Sequence, residues 1–98
     1  MLVKIHSSYR NVVAICDSDL IGKTFEQDIR QIVINPNFFQ GEEKTESEVL
    51  EIIEKGAAED YTFNIVGKHS IGLALKCGLI KPEGIIKIQD VPIALVLL

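Results

Sequence analysis

The 98-residue sequence has no tryptophan, one methionine, three prolines and two cysteines, and 6% of it is aromatic. The two cysteines, Cys16 and Cys77, form no CxxC pair. That excludes a disulfide-framework protein and gives poor ground for a zinc ribbon. Long apolar runs are also missing. The longest is 93–98, which spans about 20 Å as a strand and about 9 Å as a helix. A membrane helix needs roughly 20 such residues. The N-terminus is apolar for five residues at most, with no basic segment or small-residue cleavage site of a signal peptide. These absences predict a cytoplasmic protein with no membrane partner and two reduced, buried thiols. The alternative for the thiols is a single Cys16–Cys77 disulfide.

No repeats, low-complexity stretches or linkers interrupt the chain, so it reads as one domain over 1–98. Its composition is 47% hydrophobic and 24% charged, with a net charge of −4. These are ordinary values for a globular domain and exclude disorder or a fibre.

Residues 2–7 and 12–16 are rich in Val and Ile and read as a β-hairpin around Ser8-Tyr9-Arg10-Asn11. A third strand over 31–34 ends at Asn35-Pro36-Asn37, which reads as a turn. Thr45 and Glu48 fit a capping box. Behind it Val49, Ile52, Ile53 and Ala57 recur at helical spacing, which predicts an amphipathic helix over 46–58. A second helix is predicted over 68–77, with Ile71, Ala74 and Leu75 inward and Gly78 as its left-handed cap. Lys81-Pro82-Glu83-Gly84 reads as a turn. Two more strands, 85–88 and 93–98, flank Gln89-Asp90-Val91-Pro92. The pattern is α+β: a mixed or antiparallel sheet of about five strands with two helices on one face. The last strand, apolar on both sides, is expected to be central and doubly covered or to lie in a dimer interface.

Several chemical motifs fail on inspection. Gly22-Lys23-Thr24 looks like the end of a phosphate-binding loop, but the glycine required five residues earlier is Asp17. Asp17 and Asp19 lack the further oxygen ligands of a cation loop and read as a strand exit. A Cys16 nucleophile with His6 as base is disfavoured, since the hairpin pairs His6 near Val13, roughly 10 Å from Cys16. Zinc held by Cys16, Cys77, His6 and His69 has no local ligand pair behind it. Nothing asks for a cofactor or a metal.

Charge is unevenly spread. From Glu42 to Asp60 there are eight acidic side chains and two lysines, and the rest of the chain is mildly basic. The first helix is therefore an acidic outer wall, laced with i,i+4 pairs or facing a basic partner. The best local constellation is Asn64-Ile65-Val66-Gly67-Lys68-His69-Ser70. Exposed amides at a helix start favour an anion, and Lys68, His69 and Ser70 add charge and donors. Plain capping is the competing reading. Nucleic-acid stacking would draw on Tyr9, Phe38, Phe39, Tyr61 and Phe63, of which the phenylalanines read mostly as core.

Taken in order, the blocks Val3-Lys4-Ile5-His6-Ser7-Ser8-Tyr9-Arg10, Val13-Ala14-Ile15-Cys16-Asp17, Leu20-Ile21-Gly22-Lys23, Phe38-Phe39-Gln40-Gly41, Asn64-Ile65-Val66-Gly67 and Val91-Pro92 resemble the small archaeal family catalogued as domain of unknown function 424. The resemblance runs over nearly the whole chain and departs after Pro92, where Ile93-Ala94-Leu95 replaces polar residues. It implies a stand-alone cytosolic archaeal protein without an assigned activity, with a suspected link to translation or RNA.

Three expectations follow. The first is a non-enzymatic binding module for RNA or a ribonucleoprotein, using Lys4, Arg10, Lys23, Asn64, Gly67, Lys68, His69 and Ser70. The second is a protein-interaction domain, a homodimer through the C-terminal strand. The third is a small enzyme for an anionic metabolite with Asp17, Lys23 and His69 at its site. The residues favour binding over catalysis.

Overall fold

The computed structural model describes residues 1–97. Strands β1 (Leu2–His6) and β2 (Val12–Cys16) form the expected hairpin. A 3-10 turn at Ser18–Leu20 leads to a second hairpin, β3 (Thr24–Gln27) and β4 (Arg30–Val33). A four-residue helix α1 (Pro36–Phe39) and a two-residue strand β5 (Glu42–Glu43) follow. Next come helix α2 (Glu46–Ala58), strand β6 (Thr62–Val66), helix α3 (Lys68–Lys76), strand β7 (Ile86–Ile88) and strand β8 (Val91–Val96).

Six strands make one mixed sheet in the order β5-β1-β2-β6-β8-β7, and β3-β4 forms a separate two-stranded sheet. Neighbours are antiparallel except β2 and β6, which run parallel at the centre. The α+β class and the two helices on one face match the sequence reading. Three details correct it. The strand expected at 31–34 belongs to the small hairpin, not to the main sheet. Central strand β6 was not anticipated. Residues 35–37 open a helix rather than a turn: the Asn35 side chain accepts from the Asn37 amide and Pro36 sits at the first helical position.

Alternation along the strands builds two cores. On the first face Val13, Ile15, Phe63, Ile65 and Ala94 pack against Val49 and Ile53 of α2 and Ile71, Leu73 and Ala74 of α3. On the second, Ala14, Cys16, Val66 and Val91 pack against Ile34 and Phe39, with Phe25 and Ile32 of the β3-β4 hairpin beside them. Helix α2 has the predicted capping box, with Thr45 Oγ1 accepting from Glu48 N and Glu48 accepting from Thr45 N. Gly56 lets α2 lie against the sheet, since a Cβ there would sit 2.7 Å from Phe63 Cζ. Helix α3 ends in a Schellman turn: Gly78 (φ 82°) donates to Leu75 O and Leu79 to Ala74 O.

The end of the chain departs from expectation. Gln89 and Asp90, both left-handed, form a two-residue turn, so β8 begins at Val91 and contains Pro92. The expected strand 93–98 extends to Leu98, which lies outside the described residues. Strand β8 is internal to the sheet, between β6 and β7. It is buried at Val91, Pro92 and Ala94, whereas Leu95 is 59% exposed.

The thiols differ from the expected buried pair. Both are free; Cys16 is buried and Cys77 exposed. Burial, reinforced by the Asp17 charge, pushes the Cys16 thiol up to about 11 from 9.0. The unfolded thiol ionises first, so the stability this group confers is intact below its ordinary range and is lost as pH rises through about 11. With a thiol-reactive disulfide reagent at pH 8, one thiol per chain, Cys77, is expected to react at once. Two fast thiols would contradict this burial.

Candidate functional site

The parallel strands β2 and β6 end side by side, and the chain turns away from both. Asp17 follows β2 and donates its backbone N–H to Val66 O (3.1 Å). Gly67 follows β6, donates to Pro92 O (2.9 Å), and precedes α3 with φ 110°. Glycine has no side chain with which to cap the helix. Asp17, about fifty residues earlier, supplies the cap instead. Its carboxylate accepts from His69 N (3.0 Å), Ser70 N (2.8 Å) and Ser70 Oγ (2.8 Å). A Cβ on Gly67 would overlap that carboxylate. The glycine therefore serves both the left-handed backbone and the close approach.

This corrects the anion reading of residues 64–70. The amide donors of the α3 start are oriented as predicted, but an internal carboxylate holds those of His69 and Ser70. Ser70 is buried, and Lys68 and His69 point to the surface. A cleft of about 260 Å³ opens beside the junction, bordered by Asp17, Asp19, Lys68, Asp90 and Pro92. Its place, at the carboxyl ends of parallel strands, is where open α/β sheets bind ligands. Neither Lys23 nor His69 borders it, so the three side chains of the enzymatic reading do not meet there.

The other predicted residues go elsewhere. Lys4 Nζ donates to Asn37 O (2.8 Å), and His6 Nε2, 2.9 Å from Phe38 O, stacks its ring on Phe38. Both side chains hold carbonyls of α1, which a four-residue helix leaves without helical partners. His6 pairs with Val12, one residue from the expected Val13. It is thus four strand positions, about 13 Å, from Cys16, too far for proton transfer. Among the described residues no group of three His, Cys, Asp or Glu is placed to hold a metal ion.

Register brings two predicted residues together. Lys4 faces Ala14, Ala14 faces Asn64, and Asn64 faces Leu95, in one row across four strands. The next row is His6, Val12 and Thr62. All these side chains share the second face. Helix α1 lies over Lys4, His6 and the buried Ala14, and the β3-β4 hairpin covers the neighbouring end, leaving Val12, Thr62 and Asn64 half-buried and Leu95 exposed. The loop 7–11 borders this patch through Thr62 N→Asn11 O (3.0 Å) and presents a fully exposed Tyr9 and the exposed Arg10. Phe39 and Phe63 are buried, as the core reading of the phenylalanines expected. Lys23 immediately precedes β3, and its carbonyl accepts from Ile34 N (2.8 Å) at the base of the second hairpin.

These features define a small α+β protein whose sheet is helix-covered on one face and half open on the other. The chain belongs to the family described as protein of unknown function (DUF424), whose pattern matches residues 5–98. Its fold is similar to that of an uncharacterized conserved protein from Methanopyrus kandleri, known from a crystal structure. The two share 23% identity over 97% of this chain and 88% of that one, with a TM-score of 0.82. No curated protein matches the chain. Among the described residues no helix is long and apolar enough to cross a membrane.

Proposed function

We infer that the chain is a non-enzymatic binding module for single-stranded RNA within a ribonucleoprotein, and that its contact surface is the open half of the second sheet face. The observation that carries this reading is the uncovered strip of half-buried Thr62 and Asn64 on β6, beside the exposed Leu95 of β8 and the exposed loop that carries Tyr9 and Arg10. Arg10 and Tyr9 stand in the loop that joins this strip at Thr62. Single-stranded RNA is held by cations along the backbone, stacking on aromatic rings and hydrogen bonds to base edges. Arg10 supplies charge, Tyr9 a ring, and Thr62 and Asn64 the donors and acceptors, with Lys4 at the rim where it holds the Asn37 carbonyl. The acidic helix α2 packs on the opposite face of the sheet, and only its C-cap Glu59 and the following Asp60 reach the cleft that Tyr9 and Arg10 border.

The test is a fluorescence-anisotropy titration with a 12-nucleotide oligouridine at 25 and 150 mM salt. Affinity is expected to fall with salt, as phosphate contacts require. Tyr9→Ala is expected to weaken binding about tenfold, and Lys68→Ala, on the other face, to leave it unchanged. An absence of binding at 25 mM salt rejects this reading. A second reading uses the same surface. Leu95 and Leu97, 59% and 71% exposed, favour contact with a second copy of the chain through the sheet face. Edge pairing is open only to residues 94–96 of β8, which β7 leaves without a strand partner on the side away from β6. Light scattering that shows only monomer at millimolar concentration removes that reading.

A further inference from the structure

Helix α3 contains two residues that intrinsically disfavour it, Gly72 in its interior and Lys68 at its start, where Lys68 also borders the cleft of Asp17, Asp19 and Asp90. Gly72 is at its centre, exposed, and a Cβ there would have no atom within 4 Å. Glycine in a helix interior is less stable than alanine, and no internal packing requires it here. Lys68 is the first helical residue, where the helix dipole disfavours a cation. Among the described residues it makes no salt bridge. Residues 68 and 72 are one turn apart on the same stripe. Beside them runs a groove of about 700 Å³ between α3 and the β7 end of the sheet. Its floor is aliphatic, with Ile71 and Leu75 on one wall and Ile85 and Pro92 on the other. Lys68 and Lys87 border it against one carboxylate, Asp90. On a chain with a net charge of −4 the groove thus carries the opposite sign.

We propose that this groove, with the bare backbone at Gly72, docks an acidic amphipathic helix of a partner protein. Residues 68, 71, 72 and 75 have the i, i+3, i+4, i+7 spacing of one helix face, about two turns long. Apolar side chains of the partner enter the aliphatic floor, and its carboxylates meet Lys68 and Lys87. Gly72 lets the two helix axes approach more closely than any side chain would permit. The composition favours protein over RNA here: no aromatic residue lines the groove for stacking, and Asp90 opposes phosphate. The proposal is independent of the RNA reading, which uses the opposite face.

The probe is a synthetic 16-residue helix with leucine at i, i+4, i+7 and i+11 and glutamate elsewhere. A lysine-for-glutamate copy and the oligouridine are run beside it, and amide chemical shifts are followed by NMR. The acidic helix is expected to shift Ile71, Gly72, Leu75 and Ile85, and Lys68→Glu with Lys87→Glu to weaken it about tenfold. Gly72→Ala separates docking from folding, because it is expected to raise Tm by about 5 °C while weakening the peptide about fivefold. The proposal is overturned by no shifts at millimolar peptide, by equal shifts with the lysine copy, by undiminished binding to Gly72→Ala, or by oligouridine shifting these same amides.

Discussion

Asp17→Ala is expected to cost about 3 kcal/mol and to lower Tm by roughly 15 °C. The side chain receives three hydrogen bonds at the start of α3, two from backbone amides and one from the buried Ser70 hydroxyl. Its loss removes a helix cap, which alone costs about 1 kcal/mol. It also leaves the partly buried Ser70 donors without a partner, at about 1–3 kcal/mol. Asp17→Asn keeps one acceptor oxygen and is expected to lose about half as much. Gly67→Ala is expected to be at least as damaging, because its Cβ overlaps the carboxylate and the residue sits at φ 110°. Thermal melts of the three variants decide the matter. An Asp17→Ala protein within 3 °C of the parent would show that α3 does not depend on this cap.

Phe63→Ala is expected to cost about 3–5 kcal/mol, a large fraction of the roughly 5–15 kcal/mol that holds a domain of this size together. Phe63 is fully buried on the central strand β6, and its ring lies against the backbone of α2 at Gly56. That contact makes a second, sharper expectation. Gly56→Ala brings a methyl within 2.7 Å of the ring tip and is destabilising in the parent. In a Phe63→Leu background the ring tip is gone, so the same change is expected to cost about 1 kcal/mol less. Urea denaturation of the four proteins in this cycle measures the coupling. Strict additivity would mean that the helix and the ring do not share this space.

What was legible in the sequence was local. The Thr45–Glu48 box and the Gly78 cap are written within a few residues of the helices they bound, and both are in place. The β1-β2 hairpin was legible to within one residue of register, because alternation sets the faces but not the loop length. Strand β6 was hidden by its own function in the sheet. Phe63 and Ile65 alternate as a strand requires, but Thr62 and Asn64 face the open half and dilute the apolar signal. Asn64 was therefore grouped with the helix start that follows. The β3-β4 hairpin buries little beyond Phe25 and Ile32 and turns on Asp28-Ile29 without a glycine. The capping role of Asp17 had no local signal at all, because its partners are more than fifty residues away.

The parallel pairing of β2 with β6 also governs how the molecule comes into being. Strands β1 and β2 meet across a short loop, whereas every β2-β6 partner is fifty positions distant, as in Val12 with Thr62. Closing a loop of that length costs about 3–4 kcal/mol in chain entropy before any contact across it forms. This non-local encounter, rather than either hairpin, is accordingly expected to limit the folding rate. The row that joins Lys4 to Asn64 exists only once the encounter has succeeded. A partly folded chain can hold its hairpins and its α2 helix and still lack this sheet face, so the fold and the face are completed in the same step.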